Sequence, residues 1–331
     1  MPELGYEDSD NTIEFRQRRY FYYLSGLDIP DCTVTYDLRF DKLYAWIPPA
    51  RTVREVIYLG QNPSPEDVKE IAHFDGVAYA DELEDYMWRF SQERTGKIFL
   101  LHPNQVPRSL ATQASNLSLE RGKTLFDVTS LLPSMNIARS FKSSYEISLI
   151  RKANDITTQA HINVLQSIRS LKNEAEIEAI FLATCIKTQA KRQAYAPIAG
   201  SGTNASVLHY SANNQSLQGR QLVCLDAGCE WKLYASDVTR TFPISGKWTK
   251  EAKTIYDIVE RMQDECIGMV KPGASYRDIH LHAHRVAAEG LLKIGVLRGD
   301  LDELIDARAT APFFPHGLGR ESFFLLVYER A

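Results

Sequence analysis

Long apolar runs, paired cysteines and blocks of positive charge are all missing from this chain of 331 residues. No stretch approaches the roughly 20 consecutive apolar residues that a spanning helix needs, so no membrane partner is expected. The five cysteines, Cys32, Cys185, Cys224, Cys229 and Cys266, are odd in number and scattered, without a Cys-x-x-Cys pair. That argues against a disulfide framework and a zinc knuckle, and it predicts thiols that are reduced and mostly buried. A formal net charge of −4 with no long basic block offers nothing to grip a phosphate backbone, which sets nucleic acid aside. The opening residues, MPELGYEDSD, lack the basic start and apolar stretch of a secretory signal; the expected location is the cytoplasm.

What is present is the composition of an ordinary globular protein, 44% hydrophobic and 24% charged. At this length two domains are the default. RRYFYYLSG, CTVTYDLR and KLYAWIPP are rich in aromatic and β-branched residues and read as the first strands of a sheet. NPSPEDVKEIAHF reads as a helix capped by Ser64, with Pro65 in its first turn and Glu66 and Asp67 at the positive end of its dipole. GVAYA and KIFLL read as buried strands flanking a helix, DELEDYMWRFSQ. The sum is an α/β domain over residues 1–135. From His102 to Ser140 the pattern weakens into a connection marked by Pro103, Pro107 and Pro133.

The second domain is placed at 140–331. Ser143 to Glu146 has the spacing of a capping box. The helix after it should bury Leu149, Ala153, Ile156, Ala160 and Val164, which recur at spacings of three and four. NEAEIEAIFLATCIKTQA repeats the scheme from Asn173, helped by Glu176; a third helix is expected from about Thr249 to Val270 and a fourth after the turn KPGAS.

Chemistry concentrates in LVCLDAGCEWKLYASDVTRTFPISG. Leu222 to Leu225 reads as a buried strand that ends at Asp226 and the turn formers Ala227 and Gly228. Its partner alternates, with Leu233, Ala235, Asp237, Thr239 and Thr241 on one face. Pairing the two would bring Asp226 and Asp237 together in a largely apolar setting. Two ionised carboxylates there repel, and burial makes each costlier, so one must hold a proton unless a cation lies between them. A divalent metal is one resolution, since hard oxygen ligands suit Mn²⁺, Co²⁺ or Mg²⁺. The other is an exposed hairpin with both aspartates solvated.

The string LDAGCEWKLYASDVTRTFPISG, with GSGTNASVLHY upstream and FFPHGLG downstream, resembles the Xaa-Pro aminopeptidase and prolidase family of pita-bread metallopeptidases. RSFKSSYEISLIRKA is similar to the entry into that domain's first helix, and RQRRYFYYLSGLDIPDC to the family's N-terminal domain. The likeness runs from about Phe15 to Gly319. It implies an α/β N-terminal domain followed by an α+β pita-bread (creatinase/aminopeptidase-like) catalytic domain, the latter incomplete. It also implies a peptidase that removes the N-terminal residue preceding proline from peptides with proline at the second position. The cofactor implied is a pair of Mn²⁺ ions per subunit, and Asp226 and Asp237 match the family's aspartate ligands. His209, in VLHY, and His316, in PHGLG, match histidines that contact substrate and move protons. Position 320, where the family has its histidine ligand, holds Arg320, and guanidinium has no lone pair to offer. Neither glutamate ligand has a counterpart in ESFFLLVYERA, so the chain is expected to be C-terminally truncated relative to the family. The rival expectation is an inactive product that serves, if folded, as a subunit or binding protein. The resemblance leaves room for a homo-oligomer.

Other signals are read as structural. HLHAH puts His280 and His284 on one helix face without a third ligand nearby in sequence. GSGTNAS lacks the spacing of a phosphate loop and is expected to shape a pocket wall and position His209. Cys224 and Cys229 flank Asp226 without an adjacent base.

Overall fold

Alternating aromatic and β-branched residues build the first sheet. β1 (Thr33–Asp37) and β2 (Lys42–Ile47) pair antiparallel with Thr33 opposite Trp46, and β3 (Gly76–Tyr79) joins β2 in parallel. The computed structural model describes residues 7–8, 13–92, 96–106 and 126–314. Its contacts divide the chain into two compact units on either side of the Arg139–Ser140 bond.

In the first unit Leu27, Cys32, Ala45, Ile47 and Val68 form the core. Burying a large apolar side chain of this kind stabilises by about 1.5–3 kcal/mol. The segment RRYFYYLSG, expected as a strand, is instead helix α1 (Arg19–Ser25). Packing overrides the weak strand preference of its aromatics: Phe21 lies against the core, and the Arg139 guanidinium sits 4.3 Å from the Tyr20 ring centroid and 5.9 Å from that of Tyr23. Gly26, at φ 67°, then ends the helix in the left-handed conformation.

Helix α2 (Val53–Leu59), which the sequence reading passed over, starts from a capping box between Thr52 and Glu55. α3 (Pro65–Ile71) begins at Ser64 as its sequence indicates, the hydroxyl accepting from Asp67 N–H at 3.2 Å. β3 is half-buried along its length rather than fully buried. α4 (Leu83–Ser91) follows it. KIFLL supplies only the two-residue β4 (Ile98–Phe99), paired in parallel with β5 (Phe126–Asp127). The expected weak connection ends in α5 (Leu131–Ser140). Pro133 falls in its first turn, where a missing N–H costs no helical bond.

The second unit follows its sequence signals more closely. α6 (Ser144–Ser167) opens on the capping box, with Ser143 N–H donating to Glu146 Oε2 at 2.7 Å and Glu146 N–H to Ser143 Oγ at 3.2 Å. Leu149, Ala153, Ile156, Ala160 and Val164 are all buried. In α7 (Glu174–Lys187), Asn173 caps by accepting from Glu176 N–H at 3.1 Å. These helices pack on an antiparallel sheet ordered β10-β7-β6, built from β6 (Ile198–Ser201), β7 (Leu222–Ala227) and β10 (Val238–Pro243). Ile156, Val164, Ile177, Phe181, Val223, Leu225 and Phe242 fill the space between them. Between β7 and β10 lies a small antiparallel pair, β8 (Glu230–Trp231) and β9 (Tyr234–Ala235). α8 (Lys250–Met269), α9 (Tyr276–Lys293) and the short α10 (Leu301–Asp306) complete the described elements.

Candidate active site

The two aspartates are brought together by an interrupted hairpin rather than the simple one expected. β10 pairs with β7 so that Thr239 lies opposite Asp226 and Val238 opposite Ala227. The expected alternation from Leu233 to Thr241 is broken, because Lys232 and Leu233 make a turn at φ 49° and 62° and β9 ends at Ala235. Asp237 therefore enters from the link just ahead of β10. Gly228 makes the approach feasible: a Cβ there would lie 1.9 Å from the Ser236 carbonyl oxygen, well inside contact, so only glycine lets the two backbones pass.

Helix α6 fixes this hairpin from behind. Thr157 and Ser236 hydroxyls are 2.5 Å apart, and Cys229 N–H lies 3.1 Å from both. One turn further on, His161 Nε2 lies 3.2 Å from the Ala227 carbonyl oxygen. A carbonyl can only accept, so Nε2 carries the proton and Nδ1 the lone pair. Burial lowers the pKa of this imidazole, in keeping with a neutral structural role.

Tyr195 is the residue that sequence reasoning missed. Its hydroxyl hydrogen-bonds Asp226 Oδ1 and also lies 2.9 Å from Asp237 Oδ1. Two backbone bonds hold its segment beside the hairpin, Ala194 N–H to the Gly228 carbonyl and Glu230 N–H to the Arg192 carbonyl, each at 2.9 Å. A phenol has one proton to give, so both carboxylates cannot be ionised and fully satisfied by it. Burial pushes the Asp226 carboxyl up, against the Tyr195 hydrogen bond, and the charge of Asp237 adds to the rise. Burial, then the bond to Asp226, pushes the Tyr195 hydroxyl far up. No motif marks Tyr195, which lies 31 and 42 residues from its partners along the chain.

This pair fits the acidic half of a divalent-metal site: two hard-oxygen donors converge on one hydroxyl, and the Asp226 carboxyl is pushed up there. Among the described residues no group of three or more His, Cys, Asp or Glu is arranged to hold a metal, so these residues do not complete a coordination shell. His209 is exposed on the segment that leaves β6, the strand in which Ile198 pairs with Asp226. His316, Arg320 and the run Phe323 to Tyr328 lie outside the described residues. The HLHAH histidines engage one another and their neighbours: His284 Nδ1 is 2.7 Å from Thr310 Oγ1, the His280 and His284 Nε2 atoms are 3.2 Å apart, and His282 pairs with Glu265 at 2.7 Å.

Comparison with known proteins names the class. Metallopeptidase family M24 matches residues 148–321, and the aminopeptidase P N-terminal domain matches residues 2–99. A probable Xaa-Pro aminopeptidase of Sclerotinia sclerotiorum is 53% identical over 323 residues, covering 96% of this chain and 58% of the relative. One from Botryotinia fuckeliana is similar to the same degree, again at 53% and with the same coverage. Among solved structures, Zn-substituted E. coli aminopeptidase P in complex with product superposes at TM-score 0.83 and 29% identity, over 96% of this chain and 73% of that one. A low-pH form of the E. coli protein gives 0.85 at 28% identity with the same coverage. The chain belongs to metallopeptidase family M24, with an α/β N-terminal domain ahead of a pita-bread domain. It spans 58% of the length of those two curated fungal relatives.

Proposed function

We propose that this chain carries the acidic and substrate-facing part of a metal-dependent peptidase that removes the N-terminal residue preceding proline. The observation behind this reading is that two aspartates in the family motif converge on a single tyrosine hydroxyl. Asp226 and Asp237 would hold divalent cations, Mn²⁺ by family likeness. Such a metal, when bound, polarises a peptide carbonyl and makes water a competent nucleophile near neutral pH. The remaining roles belong to side chains. Tyr195 fixes the two carboxylates and holds a proton at Oη. His209 is the donor toward the oxygen on which charge develops, and His316 is the second substrate-side histidine.

The test is hydrolysis of a peptide with proline at its second position by the purified chain in manganese buffer, alongside metal counting. The expected result is bound Mn²⁺, lost in Asp226→Ala and Asp237→Ala, with any cleavage ahead of proline lost in the same variants. Absence of bound Mn²⁺, or binding or cleavage untouched by those substitutions, would overturn the reading.

A further inference from the structure

Glu174 is fully buried, at 0% exposure, a rare state for a glutamate. The helix start does not need it there, because Asn173 and Glu176 already cap α7. Every bond it receives comes from a neutral group. Oε1 accepts from Ser201 N–H at 2.8 Å, Ser201 O–H at 2.6 Å and Asn204 Nδ2–H at 3.0 Å. Oε2 accepts from Tyr210 O–H at 2.6 Å and Gln215 N–H at 3.0 Å. Arg220 donates to the Ser201 carbonyl rather than to the carboxylate. Burial raises the Glu174 pKa, but the bonds from Ser201, Tyr210 and Asn204 outweigh it and bring the group to about 2, so it stays charged.

Those donors share one property: they bracket His209. Ser201 ends β6, Asn204 sits in the 3₁₀ turn Gly202–Ser206, Tyr210 follows His209 directly, and Gln215 closes the segment. Asn204 Nδ2 also bonds the Tyr210 hydroxyl at 3.0 Å, and Tyr210 N–H returns to the Val207 carbonyl at 3.1 Å. His209 itself is exposed. The part of this surface segment on either side of His209 is therefore tied to the interior through one anion, with buried Asn213 adding bonds to Ala199 N–H, the Pro197 carbonyl and Glu178 further along.

We propose that Glu174 is a positioning residue: its carboxylate holds the 201–215 segment in the shape that presents His209 to the substrate. This rests on the reading of His209 given above, and it assigns a buried charge on α7 the job of orienting a histidine it does not touch. An anion suits that task because each of its two oxygens can accept several bonds at once, which a neutral amide in the same space cannot do.

The experiment uses the full chain in manganese buffer, with Glu174→Gln, Tyr210→Phe, His209→Ala and the double variant of Glu174→Gln with His209→Ala. Two quantities are read: hydrogen exchange over residues 202–210 and the affinity for the dipeptide Ala-Pro. Glu174→Gln and Tyr210→Phe should speed exchange in that segment, and Glu174→Gln should weaken dipeptide binding by about tenfold, the scale of a lost charge-assisted bond. The double variant should bind no more weakly than His209→Ala alone, since both changes remove the same contact. If Glu174→Gln frees the segment yet binds Ala-Pro like the parent chain, or if its loss adds to that of His209→Ala, the proposal is overturned. Should Glu174→Gln fail to fold, Tyr210→Phe decides, because it removes one donor and leaves the carboxylate in place. An unchanged affinity in His209→Ala alone would instead refute the substrate role of His209, a failure visible without any Glu174 variant.

Discussion

Glu174 and Asp226 are carboxylates in the same unit, both removed from bulk water, and their environments push them in opposite directions. Around Glu174 the chain gathers five neutral donors, and the group is held near 2. Around Asp226 burial outweighs the bonds from the Tyr195 phenol, which it shares with Asp237, and from the Thr239 hydroxyl, and the group is held above its ordinary value. Burial therefore does not by itself decide what an acid is for. A carboxylate whose lone pairs are all met by the protein is a structural anchor. One that shares a proton with a neighbouring acid keeps unused affinity for a cation.

The largest effect that would test this contrast is at Glu174. Its folded pKa lies below the ordinary value of 4.5, so its stabilisation is fully present above that pH and is lost as pH falls toward 2. Glu174→Gln should cost roughly 3 kcal/mol near neutrality, with the gap to the parent chain closing by the acid end of the range. Urea unfolding at several pH values checks it; a constant gap would mean that charge is not what the pocket holds. A smaller loss is expected for Thr157→Val, which removes the hydroxyl behind the hairpin and leaves Cys229 N–H and Ser236 with one partner fewer, at about 1–3 kcal/mol. Thermal unfolding reads that loss. The smallest effect has the reverse sign. In metal-free buffer Asp226→Asn relieves the repulsion with exposed Asp237 and should stabilise by less than about 1 kcal/mol. Destabilisation there would show that the pair is not strained and would erase the contrast with Glu174.

Much of the second unit was legible because its signals are local. The Ser143 and Asn173 caps, the buried stripe on α6 and the strand ending at Asp226 all follow from residues within a few positions of one another. What was illegible depends on contacts across the chain. Tyr195 is an ordinary tyrosine until β7 and β10 place two acids at its hydroxyl. Glu174 reads as one more acid in a helix's first turn until Ser201, Asn204, Tyr210 and Gln215 close over it. In the first unit α1 was misread because its aromatics favour a strand in isolation, whereas Phe21 on the core and the stacking of Arg139 on Tyr20 and Tyr23 favour a helix. The alternation through Leu233 was misleading for another reason, since positive φ at Lys232 and Leu233 resets the phase of the strand.

Thr157 and His161, one turn apart on α6, both grip the hairpin. The spacing of the acids is thus inherited from a rigid rod and owes little to the length of the loops around them. Those loops can be lengthened, shortened or rewritten while the aspartate pair beneath keeps its geometry.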